Sequence, residues 1–151
     1  RESPVASDLR FVMSVLRVLG ELERVGDLAL RVVKVGDDWS LVRSSASTYD
    51  ILVSMAETSV EQFREALRAW SSQDLDLADH LARSGPVLDM ANAQLVKELL
   101  LLEGPAAVAT ALHSLVIGKA LDRIADHSAI IGSRLRYLLT GDPGHLAAEI
   151  R

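Results

Sequence analysis

Two short stretches carry side chains whose types and spacing could do chemistry. Leu22-Glu23-Arg24-Val25-Gly26-Asp27-Leu28-Ala29 returns, ninety-nine residues further on, as Leu121-Asp122-Arg123-Ile124-Ala125-Asp126-His127-Ser128. Each copy sets an acid, an arginine, an aliphatic residue, a small residue and then an aspartate. The two acids of a copy are four apart, so a helix would bring them to one face, about one turn from each other. Neighbouring carboxylates repel, and a helix gains nothing by carrying the pair. Stepping back by sevens, about two turns, Glu23 continues Leu16 and Leu9, and Asp122 continues Leu115 and Val108. Acids that extend an apolar row are expected to look toward the core. There they must be protonated, hydrogen-bonded, ion-paired or bound to a cation.

Carboxylate oxygens suit hard divalent cations, Mg²⁺ or Mn²⁺, and also iron. The alternative is an acid–arginine network inside a helical bundle, with Arg24 and Arg123 as partners. His127 adjoins Asp126 but points about 100° away from it on a helix, which favours a packing or hydrogen-bonding role. His80, His113 and His145 have no partner at ligand spacing. Arg10, Arg17, Arg24 and Arg31 recur every seven residues. They form a basic row that is either a docking strip for an acidic partner or a solvated face softened by Glu21.

The elements that must position these groups are helices. Hydrophobic residues make up 49% of the chain and aromatics only 4%, with Leu, Ala and Val dominant, a mixture that favours helix over strand. Ser3-Pro4 is a helix start, with Ser as N-cap and Pro at the first helical position. The helical pattern then runs to about Val35 and ends at Gly36-Asp37-Asp38. Trp39 to Arg43 reads as a connector, and a second helix covers Ser44 to Trp70. Ser71-Ser72-Gln73-Asp74 resembles a capping box that opens a third helix. Ser84-Gly85-Pro86 should break or kink that helix, which resumes through Leu102 and stops at Gly104. A fourth helix starts at Pro105 and ends at Thr140-Gly141-Asp142-Pro143. No stretch alternates as a strand would.

With 151 residues and this apolar content, the chain can bury a sizeable core. A net charge of −5 argues against a nucleic-acid partner, which would call for a basic surface. Without cysteine there is neither a disulfide nor a thiolate metal site. No apolar run approaches a membrane span. No glutamate is followed three residues later by histidine, as a ferritin-like di-iron site requires, and no nucleophile elbow, P-loop or dinucleotide fingerprint occurs. A catalyst is not expected, and no catalytic residue is assigned.

Pro4-Val5-Ala6-Ser7-Asp8-Leu9-Arg10, the Leu22–Asp27 stretch and the Leu121–His127 stretch together resemble the signature segments of the PhoU family, in order, spacing and internal repeat. The resemblance covers nearly the whole chain. It implies two three-helix repeats of long antiparallel helices, the first incomplete here: residues 1–38 as the motif helix of repeat one, and 39–151 as a full second repeat. Two N-terminal helices are then missing, and the chain, which begins at Arg1, reads as a fragment. One face of residues 5–34 would need cover from a swapped chain, a dimer partner or the missing segment. The resemblance further implies a cytoplasmic negative regulator of phosphate uptake and phosphate-starvation signalling. Such proteins form homodimers, act on a Pst-type transporter ATPase and a phosphate-sensor histidine kinase, and meet the membrane only through those partners. It implies divalent metal (Fe, Mn, Mg or Zn), or none, at Glu23 and Asp27 in repeat one and Asp122 and Asp126 in repeat two. Asp8 of the Asp-Leu-Arg segment is a weaker candidate. So is Asp89, the single acid of Gly85-Pro86-Val87-Leu88-Asp89, where the family carries a further acidic motif. The contrasting reading is a metal-free helical dimerisation scaffold.

Overall fold

A computed structural model describes residues 4–35 and 39–150. Six α-helices, α1 (Pro4–Val33), α2 (Trp39–Arg43), α3 (Ala46–Ser72), α4 (Leu75–Arg83), α5 (Gly85–Leu99) and α6 (Ala107–Thr140), are followed by a 3₁₀ segment, Pro143–Ile150. No strand occurs among the described residues, as the composition predicts. Ser3 and Gly36–Asp38, read as the cap and the end of the first helix, lie outside them.

Most boundaries follow from local chemistry. Gly141, with φ 75°, takes the left-handed conformation that closes α6, and its N–H reaches the Tyr137 carbonyl at 2.8 Å. The Ser84-Gly85-Pro86 break is complete: α4 stops at Arg83 and α5 starts at Gly85 with proline in its first turn. The third helix of the sequence reading is thus two helices, the second ending at Leu99. Two expectations are corrected. Trp39–Arg43 is a helical turn, held by burial of Val42 in the core. The cap that opens α4 is Asp74, whose carboxylate accepts the Leu77 N–H at 2.9 Å, whereas Ser71 and Ser72 close α3 by donating to the Arg68 carbonyl. A hydroxyl can serve the end of one helix as readily as the start of the next, so the serines alone did not decide the boundary.

α6 is the central helix and touches every other element. Its small residues let neighbours close in. A Cβ on Gly132 would stand 3.1 Å from the Leu81 Cβ and 3.2 Å from the Ala78 carbonyl oxygen, so α4 packs directly on that backbone. α3 runs parallel to α6, with Leu52 near Gly118, while α4 and α5 run back, with Leu81 at Gly132 and Leu95 at Gly118. α1 is antiparallel to α6, because Arg10 meets Tyr137 and Glu21 meets His127. The core forms two clusters along this axis. One gathers around Met55, Leu95, Ile117 and Leu121, and the other around Val18, Ala66, Leu81, Ile131 and Leu135. On α3 the buried line is Thr48, Leu52, Met55, Ser59, Gln62, Ala66 and Ala69, while Leu67 is 41% exposed.

Candidate functional site on the two acid-bearing helices

The repeated motifs sit at mid-helix on α1 and α6, where backbone hydrogen bonding leaves only the side chains free to act. Their surroundings differ. On α1, Glu23 and Asp27 are exposed and make no ion pair among the described residues, and Asp8 is exposed as well. The row they extend is itself uncovered, with Leu9 61% and Leu16 58% exposed. The expectation that these acids look into the core is therefore corrected for this chain. α6 covers α1 on one side only, and that row faces the other way.

On α6 the acids lie closer to the protein and each meets a base. Asp122, its side chain 14% exposed, accepts from Lys119 Nζ at 3.4 Å, and Asp126 lies 3.7 Å from Arg123. Although half of its side chain is exposed, burial of the rest raises the Asp126 pKa above the ordinary aspartate range. Repulsion from Asp122 pushes the same way, the Arg123 charge opposes it, Asp89 adds to the rise and His127 opposes it. Asp89, on the helix packed beside α6, thus shares one electrostatic neighbourhood with the motif acids. No three of the His, Asp and Glu side chains converge at metal-binding distance among the described residues. A groove of about 560 Å³ between α3 and the α4–α5 junction is lined by Glu57, Glu61, Glu65, His80 and Arg83, and by none of the motif acids.

The arginine row does not behave as one unit. Arg10 packs over the Tyr137 ring, which Arg134 also approaches, at 6.0 and 5.6 Å. Arg17 and Arg24 turn to Glu21, at 3.2 and 3.6 Å, and Arg31 is exposed.

Glu21 is what the sequence reading missed. It has no exposed surface, and its Oε2 lies 2.5 Å from Nδ1 of His127, across the α1–α6 seam. A signal was available. Ser14, Val18, Glu21, Val25, Leu28 and Val32 fall at alternating steps of four and three, the period of a helix seam, and Ser14, Val18 and Val25 are buried. Glu21 therefore occupies a seam position, and His127 does the hydrogen-bonding work its place beside Asp126 suggested.

Against known proteins, the model described as "PhoU domain" matches residues 1–35 and 52–135, which include both acid motifs. The chain belongs to the PhoU family. The phosphate-specific transport system accessory protein PhoU homolog of Rhizobium meliloti is 32% identical over 147 residues, covering 93% of this chain and 60% of its own. The homolog of the same description from Deinococcus radiodurans is 30% identical over 141 residues, covering 91% and 65%. Among solved structures, PhoU from Pseudomonas aeruginosa superposes with a TM-score of 0.79 at 28% identity, over 94% of this chain and 69% of that one. The chain thus spans 60 to 65% of the length of these two curated relatives.

Proposed function

We propose that this PhoU chain is the regulatory part of a phosphate-specific transport system: a cytoplasmic accessory protein, without catalytic activity, that restrains phosphate uptake and keeps phosphate-starvation signalling quiet. Its partners are the ATPase of a Pst-type transporter and a phosphate-sensor histidine kinase. The observation that carries this reading is the family match across both acid motifs, with two curated relatives described as transport-system accessory proteins. No helix among the described residues is long and apolar enough to cross a membrane, which fits a protein that reaches the membrane through its partners. Regulation follows as a shift between partner complexes, each favoured by one state of the protein.

Within this reading the motif acids bind a divalent cation. Asp122 and Asp126, with Asp89 nearby, are oxygen donors whose mutual repulsion a cation would relieve, a repulsion that adds to the burial which mainly raises the Asp126 pKa. Glu23 and Asp27 offer two oxygens from one helix, so an ion held there needs water or a further chain to fill its shell. The ion would supply charge neutralisation that orders these side chains. Arg24 and Arg31, the more exposed of the arginine row, are the groups of that row best placed to meet an acidic partner surface. The exposed apolar row of α1, with Val5 76%, Leu9 61% and Leu16 58% exposed, supports a homodimer that covers it.

One observation favours the metal-free dimerisation scaffold instead, namely that no three metal-binding side chains converge among the described residues. Elemental analysis and Mn²⁺ calorimetry separate the two. Uptake that Asp122→Ala with Asp126→Ala, or Glu23→Ala with Asp27→Ala, reduces supports metal binding; no uptake, or uptake unchanged by both pairs of substitutions, leaves the scaffold. For the regulatory claim, deleting the gene should switch on phosphate-starvation genes in phosphate-rich medium. A deletion strain with a normal phosphate response would sink it.

A further inference from the structure

Within its helix pair, α1 is held by α6 and makes no other extensive contact among the described elements. Most of that seam is aliphatic on α1, through Val18 and Val25, and the neighbours of His127 on the facing side of α6, Ile124 and Ile131, are aliphatic as well. Apolar burial is non-directional, and a seam with a near-regular period loses little when one helix slides a turn along the other. Nothing in such a surface selects one pairing over the next. One feature of this seam does. Glu21, fully buried, reaches across to His127 at 2.5 Å, and the other basic groups that meet it, Arg17 and Arg24, ride on its own helix and would move with it.

We infer that the Glu21–His127 pair locks the register of α1 on α6. A slide of one turn brings Glu21 opposite Ile131 in one direction and Ile124 in the other, the positions four residues after and three before His127 on the same face. Ile131 is fully buried and Ile124 nearly so. Either slide leaves a carboxylate facing an aliphatic side chain, with the one cross-helix partner it has among the described residues withdrawn, the arrangement protein interiors avoid. A single polar seam position that fixes the alignment of two helices is a well-attested use of a buried polar group. In the regulatory protein proposed above, the lock sets where Glu23 and Asp27 stand along the axis relative to Asp122 and Asp126. The lock itself requires neither metal nor a transport partner, so metal uptake could fail and this inference still stand.

The chain has no cysteine, so spin labels attach only where one is introduced. Labels on Ala29 of α1 and Ser71 at the end of α3, both exposed, report the axial position of α1 by electron–electron double resonance, in samples diluted with unlabelled protein. The parent chain and Glu21→Gln, which keeps an oxygen for His127, should each give one distance. His127→Leu, and Glu21→Leu combined with His127→Leu, should add a second population displaced by about one helical turn, roughly 5 Å. Arg24→Leu removes a same-helix partner of Glu21 and should leave the distance unchanged. Helix content from circular dichroism establishes that each variant is folded. Either leucine variant, folded and showing only the parent distance, overturns the lock, as does Arg24→Leu redistributing the helix as much as His127→Leu.

Discussion

Replacing Glu21 with alanine should destabilise the protein far more than removing either acid of the repeated motif on the same helix. The contribution of Glu21 can be built from its contacts. A hydrogen bond to a charged group is worth roughly 1.5–3 kcal/mol, and the His127 contact is the closest that Glu21 makes. The two arginines add less, since Arg17 is 34% and Arg24 55% exposed and both can turn to water when the carboxylate goes; pairs of that kind are worth about 0–1 kcal/mol. The vacated volume lies in the α1–α6 seam beside Val18 and Val25 and adds a further cavity cost, with α1 free to settle partway into it. The expected loss is about 3 kcal/mol. Glu23→Ala and Asp27→Ala, at exposed positions without ion pairs, should stay within about 0.5 kcal/mol of the parent, on the favourable side because alanine is the better helix former. Urea unfolding followed at 222 nm in the presence of a chelator measures all three, provided the slope is unchanged between variants. A Glu21→Ala chain as stable as the parent would refute the claim that Glu21 holds α1 to α6.

Four further outcomes follow from the same structure. Asp126 has its folded pKa raised above the unfolded value, so ionising it costs stability, and that cost appears as pH rises from the ordinary aspartate value near 3.8 through the raised one. In metal-free protein, Asp126→Asn should accordingly stabilise at pH 7 and lose its advantage in acid melts below about pH 4; an equal gain at both pH values would contradict this. Gly132→Ala must push its Cβ against the Leu81 Cβ and the Ala78 carbonyl, neither of which can rotate away, so an overpacking cost of about 1–3 kcal/mol outweighs the roughly 1 kcal/mol gained in helix propensity. Gly20→Ala, with nothing within 4 Å of the new methyl, should instead raise the melting temperature. Asp74→Ala removes the cap of α4 and should cost about 1 kcal/mol, with hydrogen exchange quickening first in Leu75–Ala78.

What the amino-acid order determined by itself is local or repeated. The α5 start and the α6 end follow from Ser84-Gly85-Pro86 and Gly141, because breakers and caps act within a turn of themselves. The family follows from two motifs ninety-nine residues apart, because a repeat is a property of the sequence alone. The wrong cap at Ser71 and the overlooked turn at Trp39–Arg43 are cases where two local readings had equal chemistry and the packing of Val42 and the Asp74 carboxylate chose. Only the tertiary structure decided which side of α1 is inside. That helix carries two apolar rows, one through Val18 and Val25 and one through Leu9 and Leu16, and α6 covers only the first. Glu21 and Glu23 are two positions apart, and at about 100° per residue that is more than half a turn. One is sealed against His127 while the other stands in water, because burial depends on the neighbouring helix and not on the acid itself.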